Sequence, residues 1–441
     1  IKINAGNSLG IKADTLKMEL SGKELNTEGL KGINLIKLNT NLTVDGNLDI
    51  TADGDCNTLG VYSQGNVVVN GDAKLNVEGH NGGTKYYGAS GIYATSGMNN
   101  TKGGSVTVNG NLDFQGNANG LCANSGGAVV TVKGGSIVVD AEQEMDYAAI
   151  RAEDGTVNMN VVRNEAGKVT GADNNDVNIK GNVVLSTGAA NASDIHGTES
   201  SINLGLTTAK SNLTGVVANY YGDGYTTGSL TFNGAANLWL QNGASWINQA
   251  NNTRYSQDNE DVGSNGASHI SKLTGGSTGA AGVIFQKSGS KDITIDKYSG
   301  NTMVIYEHDN SNPENILGGN FTVKTAETGS AVALRTDSSG VNTSSEATVN
   351  KVLDALANKL YYTDYVNGSR NLDGQVQIAE GLTAASAAKY VGSVKYSDTT
   401  GQGSLGEKIS VQTETPEGDN TDADKNFLVE KGDWHGNNSG D

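Results

Sequence analysis

GSVTVNGNLDFQG, residues 104–116, holds two short alternating apolar segments separated by Asn109-Gly110, a dipeptide that commonly closes a two-residue hairpin. The parity of the apolar positions points elsewhere. Val106, Val108, Leu112 and Phe114 are all even-numbered, so one side of the chain stays apolar straight through the Asn-Gly step. A tight hairpin would set Val108 against Asn111 and Val106 against Asp113, which would ruin a buried face. The chain is therefore expected to bend at Gly110 without reversing, as at the corner of a coil.

The same pattern recurs along the chain. Leu42, Val44, Leu48 and Ile50 flank Gly46, and Val67, Val69, Ala73 and Leu75 flank Gly71. Val177, Ile179, Val183 and Leu185 flank Gly181, and Leu230, Phe232, Ala236 and Leu238 flank Gly234. After Gly134 a second glycine, Gly135, shifts the phase by one, as a bulge does. Steps between corner glycines of 25, 39, 24, 47 and 53 residues suggest a coil of about 24, with weaker units around Val157 and Ile202 filling the long steps. The excess in the 39-residue step falls in HNGGTKYYGASG, residues 80–91, expected to be a loop pushed out of the coil.

A second recurrent element, GVYSQG, GIYATSG, GLCANSGG and AAIRAEDG, superposes Tyr62, Tyr93, Cys122 and Arg151, so each coil is expected to hold at least two strands. The fold class that follows is all-β: a right-handed parallel β-helix over 1–340 with a C-terminal capping region. At about 4.8 Å per coil, some fourteen coils would form a rod about 65–70 Å long.

Near residue 341 the pattern changes. SSEATVNKVLDALANKLYYTDY places Val349, Val352, Leu353, Leu356 and Leu360 at helical spacing behind Ser344 or Ser345 as N-cap, one amphipathic α-helix. QVQIAEG then reads as a strand and LTAASAAKYVG as an alanine-rich stretch, a terminal region (341–396) that covers exposed coil edges. Residues 397–441 are acidic and polar and read as a linker, with a short final strand at Phe427-Leu428-Val429.

Of 441 residues, 61 are glycine and 2 proline, and aromatic residues make up 5%, a composition far from that of a helical globular domain. With 30 Lys plus Arg against 48 Asp plus Glu, the formal charge of −18 argues against nucleic acid and anionic lipid as partners. No apolar run is long enough for a membrane-spanning helix, and Ile1 reads as the start of a fragment.

Cys56 and Cys122 are the only cysteines; the sequence leaves a disulfide between them and two separate thiols equally open. Histidines 80, 196, 269, 308 and 435 read as isolated loop residues without metal-ligand spacing, and no nucleophile motif accompanies them. DGDCN (53–57) and DADKN (422–426) alternate oxygen ligands but lack the remaining calcium-loop residues, and Lys431-Gly432-Asp433 is too short to carry recognition. No cofactor or metal site is expected.

Taken together, the repeated corners and NGAANLWLQNGASWINQ (234–249) resemble the autotransporter passengers of type V secretion in Gram-negative bacteria, the stretch from Ile270 to Asn310 is similar to the last coils of the AIDA- and pertactin-like ones, and VNKVLDALANKLYYT (349–363) resembles a segment of large autotransporters of anaerobic diderm bacteria. The likeness covers most of the chain, without a signal sequence or the membrane β-barrel. It implies a β-helix at the cell surface, outer-membrane anchored by that barrel. It also implies adhesion, aggregation or biofilm growth through host-cell or bacterial surface proteins or glycans, self-association included.

Two features bear on activity. Candidate carboxylates for a glycosidase-type pair include Asp113, Asp140, Glu142, Glu144, Asp146, Glu153 and Asp154; the acidic run 141–154, with Arg151 able to bind an anionic sugar, is the best place for one, although a solvated loop and strand edge is the preferred reading of it. Tyr86 and Tyr87 in the extruded loop, with Tyr220, Tyr221 and Tyr225 in ANYYGDGYTTG, are the candidate ligand contacts, since loop tyrosines give large contact area at low entropic cost. A binding rod without catalysis is the expected function; a polysaccharide-processing enzyme or a plain stalk are the alternatives.

Overall fold

A computed structural model of the chain describes residues 8–11, 15–21, 34–38, 41–80, 88–96, 102–142, 147–186, 200–220, 234–251, 266–409 and 428. The described residues are all-β, with a long and mostly parallel sheet and one α-helix, Glu346–Ala357. The chain divides into two compact units. The first comprises Ile1–Gly205, Asn212–Asn237 and Ala250–Gly266, and the second Leu206–Ser211, Leu238–Gln249 and Ala267–Asp441.

In the first unit the chain passes repeatedly through three parallel ladders. One contains Asn41–Val44, Asn66–Val69 and the first half of Ser105–Gly116; Leu42 lies beside Val67, and Val67 beside Val106. The next contains Asn47–Asp55, Ala73–His80 and the second half of Ser105–Gly116, with Leu48 beside Ala73 and Ala73 beside Leu112. The last contains Leu59–Ser63, Ser90–Thr95 and the start of the long strand Asn119–Val139.

Val108 and Leu112 are both 2% exposed and both pair in parallel, so the Asn-Gly step is a corner, as its parity predicts. Successive corners touch. The Gly71 N–H donates to Gly46 O and the Gly110 N–H to Gly71 O, both at 3.0 Å. A Cβ on Gly110 would stand 2.4 Å from Gly71 O, which is why this position needs glycine.

The residue after each corner adds a side-chain clip. Asn47 Oδ1 accepts the Asp72 N–H, and Asp72 Oδ1 accepts the Asn111 N–H, each at 2.8 Å. The N-G-N and N-G-D triplets thus have a physical basis: a short side-chain oxygen satisfies a backbone amide of the neighbouring turn. The ladder shifts register by one between Val108 and Asn111, where Leu112 meets Gly135, which bears out the phase change at that glycine.

One corner belongs elsewhere in the coil than its sequence suggests. Val177 and Ile179 lie beside Gly135 and Ile137 in the second ladder, and Val183 and Leu185 lie beside Ile150 and Ala152 in the third. Gly181 therefore joins the second ladder to the third, whereas Gly46, Gly71 and Gly110 join the first to the second. Apolar alternation is alike on all ladders, and only long-range register distinguishes them. The hairpin of Val161–Arg163 with Val169–Ala172 is an antiparallel excursion between Met159 and Val177.

In the second unit, one ladder runs Ser268–Thr274, Ile293–Ser299, Phe321–Ala326 and Leu360–Tyr362, and another Gly282–Gln286, Asn301–Tyr306, Ser330–Asp337 and Leu372–Ala379. The helix starts at Ser345, whose Oγ accepts the Thr348 N–H at 3.2 Å, and it buries Val349, Val352, Leu353 and Leu356. Leu360, read from the sequence as part of that stripe, lies past the helix and is buried in a strand beside Phe321. Ala388–Tyr396 and Gly403–Ile409 close the sheet with antiparallel pairing, so a strand occupies part of the segment read as linker. Among the described residues no helix is long and apolar enough to cross a membrane.

Candidate functional site

In the third ladder of the first unit, Val61, Ile92, Leu121 and Ile150 point inward and are at most 1% exposed. Strand alternation places their neighbours Tyr62, Tyr93, Cys122 and Arg151 on the opposite face, and the register aligns all four. The sequence alignment of this row is thereby borne out. The Tyr62 and Tyr93 rings stack at 5.7 Å with 7° between planes. Gln64 Nε2 donates to the Tyr62 hydroxyl at 2.8 Å and Asn124 Nδ2 to the Tyr93 hydroxyl at 2.5 Å.

Farther along the row, Arg151 is 1% exposed and its Nη1 lies 3.7 Å from Glu153 Oε1. Burial pushes the Cys122 thiol well above its usual range; Glu153 adds to this and Arg151 opposes it. A thiol held protonated is a poor nucleophile, so burial does not suit Cys122 to thiolate chemistry. Cys56 and Cys122 are both buried thiols with no bond between them. The reason is geometric: Cys56 precedes the Tyr62 strand, and Cys122 lies two strands farther along the ladder, about 9–10 Å, beyond the reach of about 7 Å between Cα atoms.

A second cluster forms at the end of the second ladder. His80 Nε2 lies 3.1 Å from Asp53 Oδ1 and Nδ1 lies 2.7 Å from Glu142 Oε1, so one imidazole bridges two carboxylates. Glu78, in register with Asp53, accepts the Asn117 N–H at 3.2 Å, and Asn117 Oδ1 accepts the Glu142 N–H at 2.9 Å. The hydrogen bond to Glu142 raises the His80 pKa against the opposing effect of burial, with Glu142, Asp53 and Glu78 charges adding to it. Burial raises the Glu78 carboxyl. A charged His80 gives both carboxylates a donor, and its positive charge opposes the rise that burial causes at Glu78.

His80 is thus the end of a strand and not an isolated loop residue. Two more histidines depart from the same expectation. His269 Nε2 meets Asp296 Oδ1 at 2.9 Å, and His308 is buried with Nδ1 2.7 Å from Thr336 Oγ1. His196 and His435 lie outside the described residues.

The acidic run does not act as one group. Asp140 and Glu142 belong to the His80 end, with Asp140 Oδ1 3.4 Å from Lys180 Nζ, whereas Glu153 sits beside Arg151. Asp154 Oδ2 accepts the Gly126 N–H at 3.0 Å. Glu144 and Asp146 lie outside the described residues, as do Tyr86, Tyr87, Tyr221 and Tyr225, Phe427 and Val429, and the 422–426 and 431–433 motifs. The backbone of Tyr220 ends the strand Val217–Tyr220, and its side chain is likewise outside them. Asp53, offered as a calcium ligand, is engaged with His80.

The Tyr62–Tyr93 stack and the His80 bridge are the arrangements that sequence reasoning missed as sites. The coil offset carried the signal for the second: with Gly71 against Gly46, Asp55 falls beside His80 and Asp53 beside Glu78. Comparison of the chain with protein-family models, with curated proteins and with solved structures returned no match in any of the three.

Proposed function

We propose that this chain is the binding region of a cell-surface adhesin, wound as a right-handed parallel β-helix of about 24 residues per coil and carried outside the cell like an autotransporter passenger. The observation that carries this reading is the register of the third ladder, which stacks the half-buried Tyr62 and Tyr93 rings on the side away from the apolar interior, in line with the buried Cys122 and Arg151. Such a scaffold holds side chains from different turns at fixed spacing, which suits recognition of a repeating or extended partner surface. In this proposal residues 80–91, with Tyr86 and Tyr87, supply the remaining contacts. The ligand is a protein or glycan of host or bacterial surfaces, and no turnover accompanies binding. The acidic charge of −18 agrees with partners other than nucleic acid.

The test is adhesion of the purified chain to host and bacterial cells, combined with glycan incubation. Saturable binding that falls on replacing residues 81–87 with glycine and serine, without released oligosaccharide, is the expected result. A folded chain that binds no cell, or one that releases oligosaccharide, overturns the proposal; release that stops on Glu144→Gln or Asp146→Asn would establish the enzyme alternative.

A further inference from the structure

In the second unit a cleft of about 280 Å³ opens along the ladder formed by Ser268–Thr274, Ile293–Ser299 and Phe321–Ala326. One register row crosses it: Lys272 lies beside Lys297, and Lys297 beside Thr325. Strands in register are about 4.8 Å apart, and like charges side by side are unfavourable unless something of opposite charge joins them.

The adjacent cation is paired differently. Lys324 Nζ lies 3.2 Å from Asp296 Oδ1, which also receives His269 at 2.9 Å. Among the described residues no carboxylate stands within ion-pair distance of Lys272 or Lys297. Glu327 is the single acid in the lining against the two ammonium groups, so the cleft keeps an excess positive charge. That excess stands out in a chain of formal charge −18.

The remaining lining is polar and preorganised. Thr325 Oγ1 donates to Asp296 O at 2.7 Å, which fixes its oxygen as an acceptor, and Ser299 adds a second hydroxyl. The buried Tyr298 forms the floor and is held by its hydroxyl, which donates to Ala331 O at 2.6 Å.

We propose that the cleft lined by Lys272, Lys297, Ser299 and Thr325 binds a single anionic sugar unit, with the two ammonium groups on its carboxylate or sulfate and the Thr325 and Ser299 oxygens accepting from its hydroxyl groups. The volume suits one such unit. A long polyanion is disfavoured because the acidic chain repels it beyond the few ångströms over which two lysines dominate. The inference stands apart from the adhesion reading, since it rests on the second unit alone and holds whether or not the chain attaches to cells.

Calorimetric titration of the whole chain with glucuronate, glucose 6-sulfate, glucose and acetate at low ionic strength tests it. Saturable glucuronate binding is expected, at least about tenfold tighter than glucose and weakened about tenfold by each of Lys272→Gln and Lys297→Gln. Both lysines are exposed, so these variants keep the fold, which circular dichroism checks. Comparable binding of glucose 6-sulfate would show that the cleft reads charge, and weaker binding that it reads a carboxylate; either supports the site. Acetate binding as tight as glucuronate, equal binding of glucose, unchanged affinity in the double variant or no saturation up to about 50 mM each overturns it.

Discussion

Arg335 and Gln377 share one carboxamide oxygen: Nε and Nη2 of the guanidinium donate to Gln377 Oε1 at 3.1 and 2.7 Å. Nη1 donates to the carbonyls of Thr383, Ala384 and Ser386 at 2.8, 3.0 and 2.6 Å. Arg335 is fully buried, and burial brings its pKa down to about 10. It fastens the 383–386 turn over an outward apolar face built from Val283, Met303, Ile305, Ala331 and Ala333, against which Leu382, Ala384 and Leu428 pack.

Truncating that clamp is expected to be severe. Arg335→Ala removes five hydrogen bonds and takes the guanidinium donors away from the Gln377 carboxamide oxygen and from the carbonyls of Thr383, Ala384 and Ser386, a loss of about 3 kcal/mol in urea denaturation. Arg335→Lys restores one donor direction only and is expected to recover less than half. Wild-type stability in the alanine variant would refute the clamp.

Corner glycines and open glycines respond oppositely. Gly110→Ala drives a Cβ to 2.4 Å from Gly71 O and Asp72 Oδ1, and a loss on the order of 2 kcal/mol or more is expected. Gly171→Ala, where a Cβ meets nothing within 4 Å, is expected to be neutral or to raise stability by about 0.5 kcal/mol. Thermal unfolding of the pair of variants separates steric contact from general loss of glycine.

The His80 bridge gives stability a pH dependence with a defined sign. The His80 pKa is raised in the folded chain, so its contribution is complete below the unfolded value of about 6.5 and disappears as pH rises through the folded value. His80 is partly exposed, so the effect is small. His80→Asn should therefore lower stability by about 0.5 kcal/mol at pH 5.5 and by less at pH 8.5, and an equal loss at both values would remove the charge from the explanation.

Cys56 and Cys122 are each 2% exposed, and burial keeps the Cys122 thiol protonated. Reaction with a thiol-specific reagent at pH 8 should label neither in the folded chain and both after denaturation, without reductant. Detection of a single bridged pair on denaturation would restore the disulfide.

Parity made the inner face legible. The even-numbered run from Val106 to Phe114 fixes one apolar side whatever the neighbours do, and the Tyr62, Tyr93, Cys122 and Arg151 alignment follows from a locally distinctive Gly-x-aromatic context. The sequence around Gly181 points to the wrong ladder because Val-x-Ile and Val-x-Leu fit any inward strand; only pairing with Ile137 and Ile150 distinguishes them. The charge bridges were hidden for a related reason. Asp53, His80 and Glu142 come from different turns, so no window of sequence contains all three. Leu360 continues the helical spacing of Leu353 and Leu356, yet the pull of the Phe321 strand ends the helix before it.

The clip of Asn47, Asp72 and Asn111 has one further implication. Because each turn meets the next through the same amide and side-chain oxygen, excising residues 47–71 would lay Asp72 directly after Gly46 and leave its bond to Asn111 intact. Whole turns are in this sense interchangeable parts, and the reach of such a molecule is open to change by duplication or loss while every joint keeps its chemistry.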